Sequence, residues 1–206
     1  MTFLSEHLKG ISILLAELEP VANALGNELA RFGPVGRRTL GSWTSARSHI
    51  TPLATLSTRF VCLQADNWVQ VIADGRNDNA YVDARNVARR LTCDAVCAVA
   101  SDDMRQFALF RSGKEIRTIA AYQDGDRWSF GQTGEIQEWE EPARYEKSSI
   151  RERLTPSMVL DYLKSAGAKQ FPVEWSSLNT LRGVALSRST NQLKNPVLPV
   201  ETELDV

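Results

Sequence analysis

Residues 94–130 read DAVCAVASDDMRQFALFRSGKEIRTIAAYQDGDRWSF, and the reading of this stretch decides the fold. Three runs, 94–100, 104–111 and 114–122, are rich in Val, Ile, Phe and Ala and short enough to be strands. Ser112-Gly113 between the last two suits a tight hairpin turn, because glycine tolerates the positive φ that such turns need. Asp124-Gly125-Asp126 is turn chemistry again, followed by a fourth short run, 127–130. Alternation puts Phe107 and Leu109 on one face of their strand and Ile119 and Ala121 on one face of the next. It leaves open which face points to the core. Strands that follow one another through such short connections pair antiparallel.

Working outward, residues 57–64 and 68–73 flank Ala65-Asp66-Asn67 as a second hairpin. Residues 74–79 (DGRNDN) are turn-rich, and Asp78 or Asn79 can cap a helix on which Tyr81, Ala84, Ala88 and Leu91 share a face. Residues 11–32 read as helical, since Ile11, Leu14, Leu15 and Leu18 recur at helical spacing. Pro20 breaks or kinks that helix, and Gly33-Pro34 ends it. Residues 36–52 read as a connection with room for one short strand. Downstream, residues 135–146 turn acidic and irregular. Ser149 with Glu152 fits a capping box, and Thr155-Pro156 starts a second helix. That helix has Met158, Val159, Tyr162 and Leu163 as its apolar stripe and Gly167 as its stop. A strand over 180–187 and a tail over 191–206, expected to be mobile, complete the chain. The expectation is a single α+β domain over residues 1–190, a mainly antiparallel sheet with helices in the N-terminal, middle and C-terminal thirds.

Of 206 residues, 43% are hydrophobic and 24% charged, which is ordinary for a chain with a real core. The balance of 24 Lys and Arg against 25 Asp and Glu gives a net charge of −1 and removes the broad basic field of a nucleic-acid binder. The opening MTFLSEHLKG has no basic, apolar and small-residue succession of a secretory signal. The early apolar run is too short to span a bilayer, so no membrane association is expected. Three cysteines, Cys62, Cys93 and Cys97, cannot all pair, and the compartment reads as reducing cytosol.

Sites of known chemistry are hard to assemble. Cys93 and Cys97 are four apart with no CxxC or HxxxH, and free cysteines in strands behave as small hydrophobes, so neither metal nor cofactor is expected. The chain has no GxSxG elbow and no glycine-rich phosphate loop. A histidine base would have to be His7 or His49, each placed where a surface role is the ordinary one. Asp102-Asp103 and Asp124 with Asp126 sit at turns, where Asp bonds its own backbone. The segment that stands apart is Glu135-Ile136-Gln137-Glu138-Trp139-Glu140-Glu141. A tryptophan among four glutamates reads as an aromatic anchor within an acidic rim, facing a basic protein partner. The competing reading folds Trp139 inward and leaves the glutamates solvated. The candidate contact residues are Glu135, Glu138, Trp139, Glu140 and Glu141.

Between Val82 and Leu163 the chain resembles a loose group of small bacterial immunity-type proteins encoded beside interbacterial toxins. The resemblance rests on Ala88-Arg89-Arg90-Leu91-Thr92 ending a helix, and on the strand Asp94-Ala95-Val96-Cys97-Ala98-Val99. It continues in Phe107-Ala108-Leu109-Phe110-Arg111-Ser112-Gly113-Lys114, the acidic segment around Glu138, and Arg153-Leu154-Thr155-Pro156 opening the last helix. It implies a non-enzymatic inhibitor that occludes a toxin's active site, and it carries over no site residues. The alternatives are a regulatory or adaptor domain of a cytosolic complex, or an enzyme whose site gathers scattered Asp, Glu and Arg.

Overall fold

The computed structural model describes residues 11–50, 57–73, 80–168 and 181–189. Among the described residues nine strands form one sheet: β1 (Ile11–Leu15), β2 (Val35–Leu40), β3 (Ser57–Ala65), β4 (Trp68–Ala73), β5 (Asp94–Ala100), β6 (Met104–Arg111), β7 (Lys114–Asp124), β8 (Arg127–Gly134) and β9 (Gly183–Ser189). Their order is β2-β9-β3-β4-β1-β5-β6-β7-β8, and every neighbouring pair is antiparallel. The helices are α1 (Leu18–Ala30), α2 (Trp43–Ile50), α3 (Ala80–Leu91), the short α4 (Ile150–Arg153) and α5 (Pro156–Ser165), with a 3₁₀ turn at Pro142–Glu146. The fold is α+β.

Each face of the sheet buries its own core. Helices α1 and α3 cover one face over Leu14, Phe60, Val69, Ala95, Cys97, Ala108 and Phe110. On the other, α2 and α5 cover Ile13, Val61, Leu63, Val96, Phe107, Leu109, Ile119 and Ala121. Phe107 and Leu109 therefore share a face with Ile119 and Ala121, with Phe107 directly opposite Ile119. The β6–β7 connection is a tight turn with φ of 48° at Ser112 and 75° at Gly113, the pair of positive values that matches strand twist. A Cβ on Gly113 would come within 2.7 Å of the Arg89 Cα, because the turn lies against the end of α3.

The expected hairpin over residues 57–73 is β3–β4, and the expected helices at Tyr81 and Thr155 are α3 and α5. Thr155 Oγ1 accepts from the Met158 N–H at 3.3 Å. Ser149 makes no such side-chain cap.

Residues 11–32 need correcting. The start of that segment is not helical: Ile11–Leu15 is β1, inserted between β4 and β5. A short run covered on both faces is apolar at nearly every position, here all but the buried Ser12, and such a run fits helical spacing as well as strand alternation. The helix begins at Leu18, so Pro20 falls in its first turn, where an N–H has no intrahelical acceptor to lose. Residues 36–52 also hold more than a connection, namely most of β2 and all of α2. The turn at 74–79 and the tail at 191–206 lie outside the described residues. Among the described residues no helix is long and apolar enough to cross a membrane.

Candidate functional site

Strand β8 ends at Gly134 with a φ of 82°, and the chain leaves the sheet edge there. A Cβ at this position would lie 1.9 Å from the Ile116 carbonyl oxygen, so only glycine fits the exit. The segment that follows, residues 135–141, folds back over the β7 end of the α5 face. It is fastened there by one buried charge pair.

Arg117 on β7 stands opposite Gly134 and shares its face with Ile119 and Ala121. The residue is 1% exposed, and Glu140 above it is 7% exposed. Arg117 Nε donates to Glu140 Oε1 at 2.9 Å and Oε2 at 3.2 Å, and Nη2 donates to Oε2 at 2.7 Å. Its remaining hydrogens reach the carbonyls of Thr133 and Gly134, both at 3.2 Å, and Gln132 Oε1 at 2.7 Å. The carboxylate of Glu140 also accepts from the Gln137 N–H at 2.9 Å and the Tyr145 hydroxyl at 2.7 Å. Tyr145 and Tyr162 hydroxyls meet at 2.9 Å, which ties the 3₁₀ turn and α5 into the same network.

Burial pulls the Arg117 guanidinium towards the neutral form, but the hydrogen bonds and charge of Glu140 outweigh it and raise its pKa. Burial, then bonding to Tyr162 and Glu140, pushes the Tyr145 phenol far up, and burial raises Tyr162 as well. The pair is closed: the guanidinium spends its five N–H groups on acceptors and the carboxylate carries four donors. A carboxylate so occupied has no free lone pair for acid–base work. Its role is to fix the shape of the loop.

Trp139 packs beside this pair. Its ring makes an edge contact with Phe107 at 5.5 Å between centroids and a tilted one with Tyr162 at 4.9 Å. The five residues expected as contacts therefore divide. Trp139 lies half-buried against the core, and Glu140 is buried and turned to Arg117, which takes it out of any outward acidic rim. The reason is the inward arginine, whose charge must be met where water is excluded. Glu135, Glu138 and Glu141 stay exposed, joined by Ile136 at 53% exposure. Glu141 is also paired with Arg144 at 2.5 Å. Arg117, Tyr145, Tyr162 and Gln132 were not foreseen. The signal was in the alternation: Arg117, Ile119 and Ala121 have one parity, and a charge on an apolar face calls for a buried partner.

The other candidates among the described residues make structural contacts. His49 lies in α2, not a connection, and its Nε2 is 3.1 Å from the Leu186 carbonyl. His7 lies outside the described residues. Asp103 shapes the β5–β6 turn, with Ser101 Oγ donating to its Oδ1 at 2.5 Å. Asp124 and Asp126 are exposed at the β7–β8 turn. Cys62 and Cys97 are buried in strands, and burial pushes both thiols up to about 12. Compared with known protein families, with curated proteins and with solved structures, the chain finds no match.

Proposed function

We propose that the chain is a protein-binding protein, an inhibitor of the immunity type, whose contact surface is the acidic loop at residues 135–141. The observation that carries this reading is the Arg117–Glu140 pair beneath the loop. Desolvating two charges is expensive and, as a source of stability, often no better than apolar packing. Here it holds one loop conformation, with Glu135, Glu138 and Glu141 around an exposed Ile136. A loop ordered before binding loses little entropy on association. Its charges suit a cationic partner surface, such as the basic cleft of a toxin, and steer the encounter. Trp139 and Glu140 support the surface from below.

The test is capture by a photo-crosslinking residue at position 138 in the native host, followed by binding measurements on the protein captured. The triple charge reversal Glu135→Lys, Glu138→Lys, Glu141→Lys should leave thermal melting nearly unchanged. It should also slow association by at least tenfold at low salt. A captured partner that binds the reversed variant as fast as the parent would rule out this surface. Trp139→Ala should instead melt early, costing about 3 kcal/mol, because it removes a ring packed on Phe107 and Tyr162.

A further inference from the structure

At the opposite end of β8 from the acidic loop, three arginines lie over two aromatic rings. Trp128 and Phe130 are two apart on β8 and point to the α5 face. Arg105 of β6 and Phe130 of β8 both stand opposite Ala121 of β7. From its place on the far side of β7, the Arg105 side chain reaches Trp128. The Arg105 guanidinium carbon lies 4.7 Å from the Trp128 ring centroid and that of Arg151 lies 5.1 Å from the same centroid. Arg153 sits 5.6 Å from the Phe130 centroid.

What holds these cations is neutral. Arg105 Nη1 donates to the Arg151 carbonyl at 3.2 Å, and Arg153 Nε donates to the Lys147 carbonyl at 2.7 Å. Among the described residues none of the three is ion-paired, and neighbouring Glu152 is taken by Lys147 at 3.6 Å. Ring faces attract cations but cancel no charge. At the floor of the strip, Arg105 Nε and Trp128 Nε1 are buried donors without an acceptor. Burial, and then the charge of Arg151, pulls the Arg105 guanidinium below its ordinary pKa, with Asp102 opposing. The strip is thus a concentration of positive charge and donors that an anion would relieve.

We propose that Arg105, Arg151 and Arg153, arrayed on Trp128 and Phe130, form a binding site for a phosphate monoester. Planar guanidinium forks match the oxygens of phosphate, and three cations suit a dianion with three terminal oxygens better than a single carboxylate. A nucleic-acid strand is disfavoured, because the ring faces on which bases would stack already carry guanidiniums. The proposal does not depend on the acidic loop.

The test follows the Trp128 Nε1–H resonance, assigned with Trp128→Phe, during titration at constant ionic strength. The probes are inorganic phosphate, O-phosphoserine and acetate. Phosphate or phosphoserine should give a saturable shift, and acetate none. Arg151→Gln, an exposed change on a short helix, should weaken that binding at least tenfold while the fold persists, and Arg105→Gln should do the same. Phosphoserine binding well ahead of inorganic phosphate assigns the site to a phosphorylated side chain, and equal binding assigns it to free phosphate. No saturable shift with either phosphate, an equal shift with acetate, or unweakened binding by Arg151→Gln overturns the proposal.

Discussion

Arg117 and Glu140 carry opposite charges out of water and return them to each other through three contacts of 2.7 to 3.2 Å. Removing one partner leaves the other buried and unpaired, so Arg117→Met or Glu140→Leu alone should destabilise the protein by about 3–5 kcal/mol. The double change Arg117→Met, Glu140→Leu strands no charge and should cost less than the two single losses added together. Urea denaturation of the four proteins measures this as a coupling free energy. Costs that simply add would show the two residues acting independently, against the geometry described. Gly134 belongs to the same device, since the loop can reach Glu140's position only from a strand end whose φ of 82° and contact with the Ile116 carbonyl exclude a side chain.

Among the elements, those bounded by local chemistry were legible and those bounded by distant groups were not. Strands β3 to β8 announce themselves through alternation and turn residues, and α3 and α5 through their apolar stripes. The α1 helix lacks a local announcement. Its N-cap residue Glu17 makes no side-chain cap, and the Leu18 N–H is instead met by Gln64 Oε1 at 2.7 Å, from a residue 46 positions later in the chain. Gln64 also donates to the carbonyls of Asp66 at 2.8 Å and Trp68 at 3.0 Å, so one amide joins the helix start to the β3–β4 turn. No window around Pro20 contains that information, which is why β1 and α1 read as one interrupted helix. The acidic loop was legible as a segment but not in its division, because Glu140 is singled out by an arginine 23 positions earlier. Gln64→Leu should cost at least about 1 kcal/mol, the usual loss when a helix cap is removed, with two turn bonds lost besides. Hydrogen exchange should then speed up at the first turn of α1 and at the 65–68 turn together. Faster exchange at only one of them would mean that the amide does not couple the two.

Beside the charged Arg117–Glu140 pair, the two cores of the sheet hold thiols and phenols in their neutral forms, and stability must therefore depend on pH at the alkaline end. Cys62 on β3 and Cys97 on β5 lie in the α1–α3 core, where burial raises each thiol from 9.0 to about 12. Tyr145 and Tyr162 line the other face, and Tyr81 bonds Glu115 from α3; burial is the first cause of the raised phenol in all three. For a group whose folded pKa lies above its unfolded one, stability is complete below the unfolded value. It is lost as pH rises, because the unfolded chain releases the proton first. The thiols set the onset at about pH 9, and the phenols steepen the fall above about pH 10, each group adding at most about 1.4 kcal/mol per pH unit. Urea midpoints measured from pH 7 to pH 11 at constant ionic strength should be level at first and then decline in these two stages. The double variant Cys62→Ala, Cys97→Ala starts lower because it leaves small cavities, but between about pH 9 and pH 10 its midpoint should fall much less steeply than the parent's, since of the raised thiols only the half-buried Cys93 remains. Tyr145→Phe should keep the early decline and soften the later one. If the double cysteine variant declines from pH 9 as steeply as the parent, the buried thiols are not what limits the sheet in alkali.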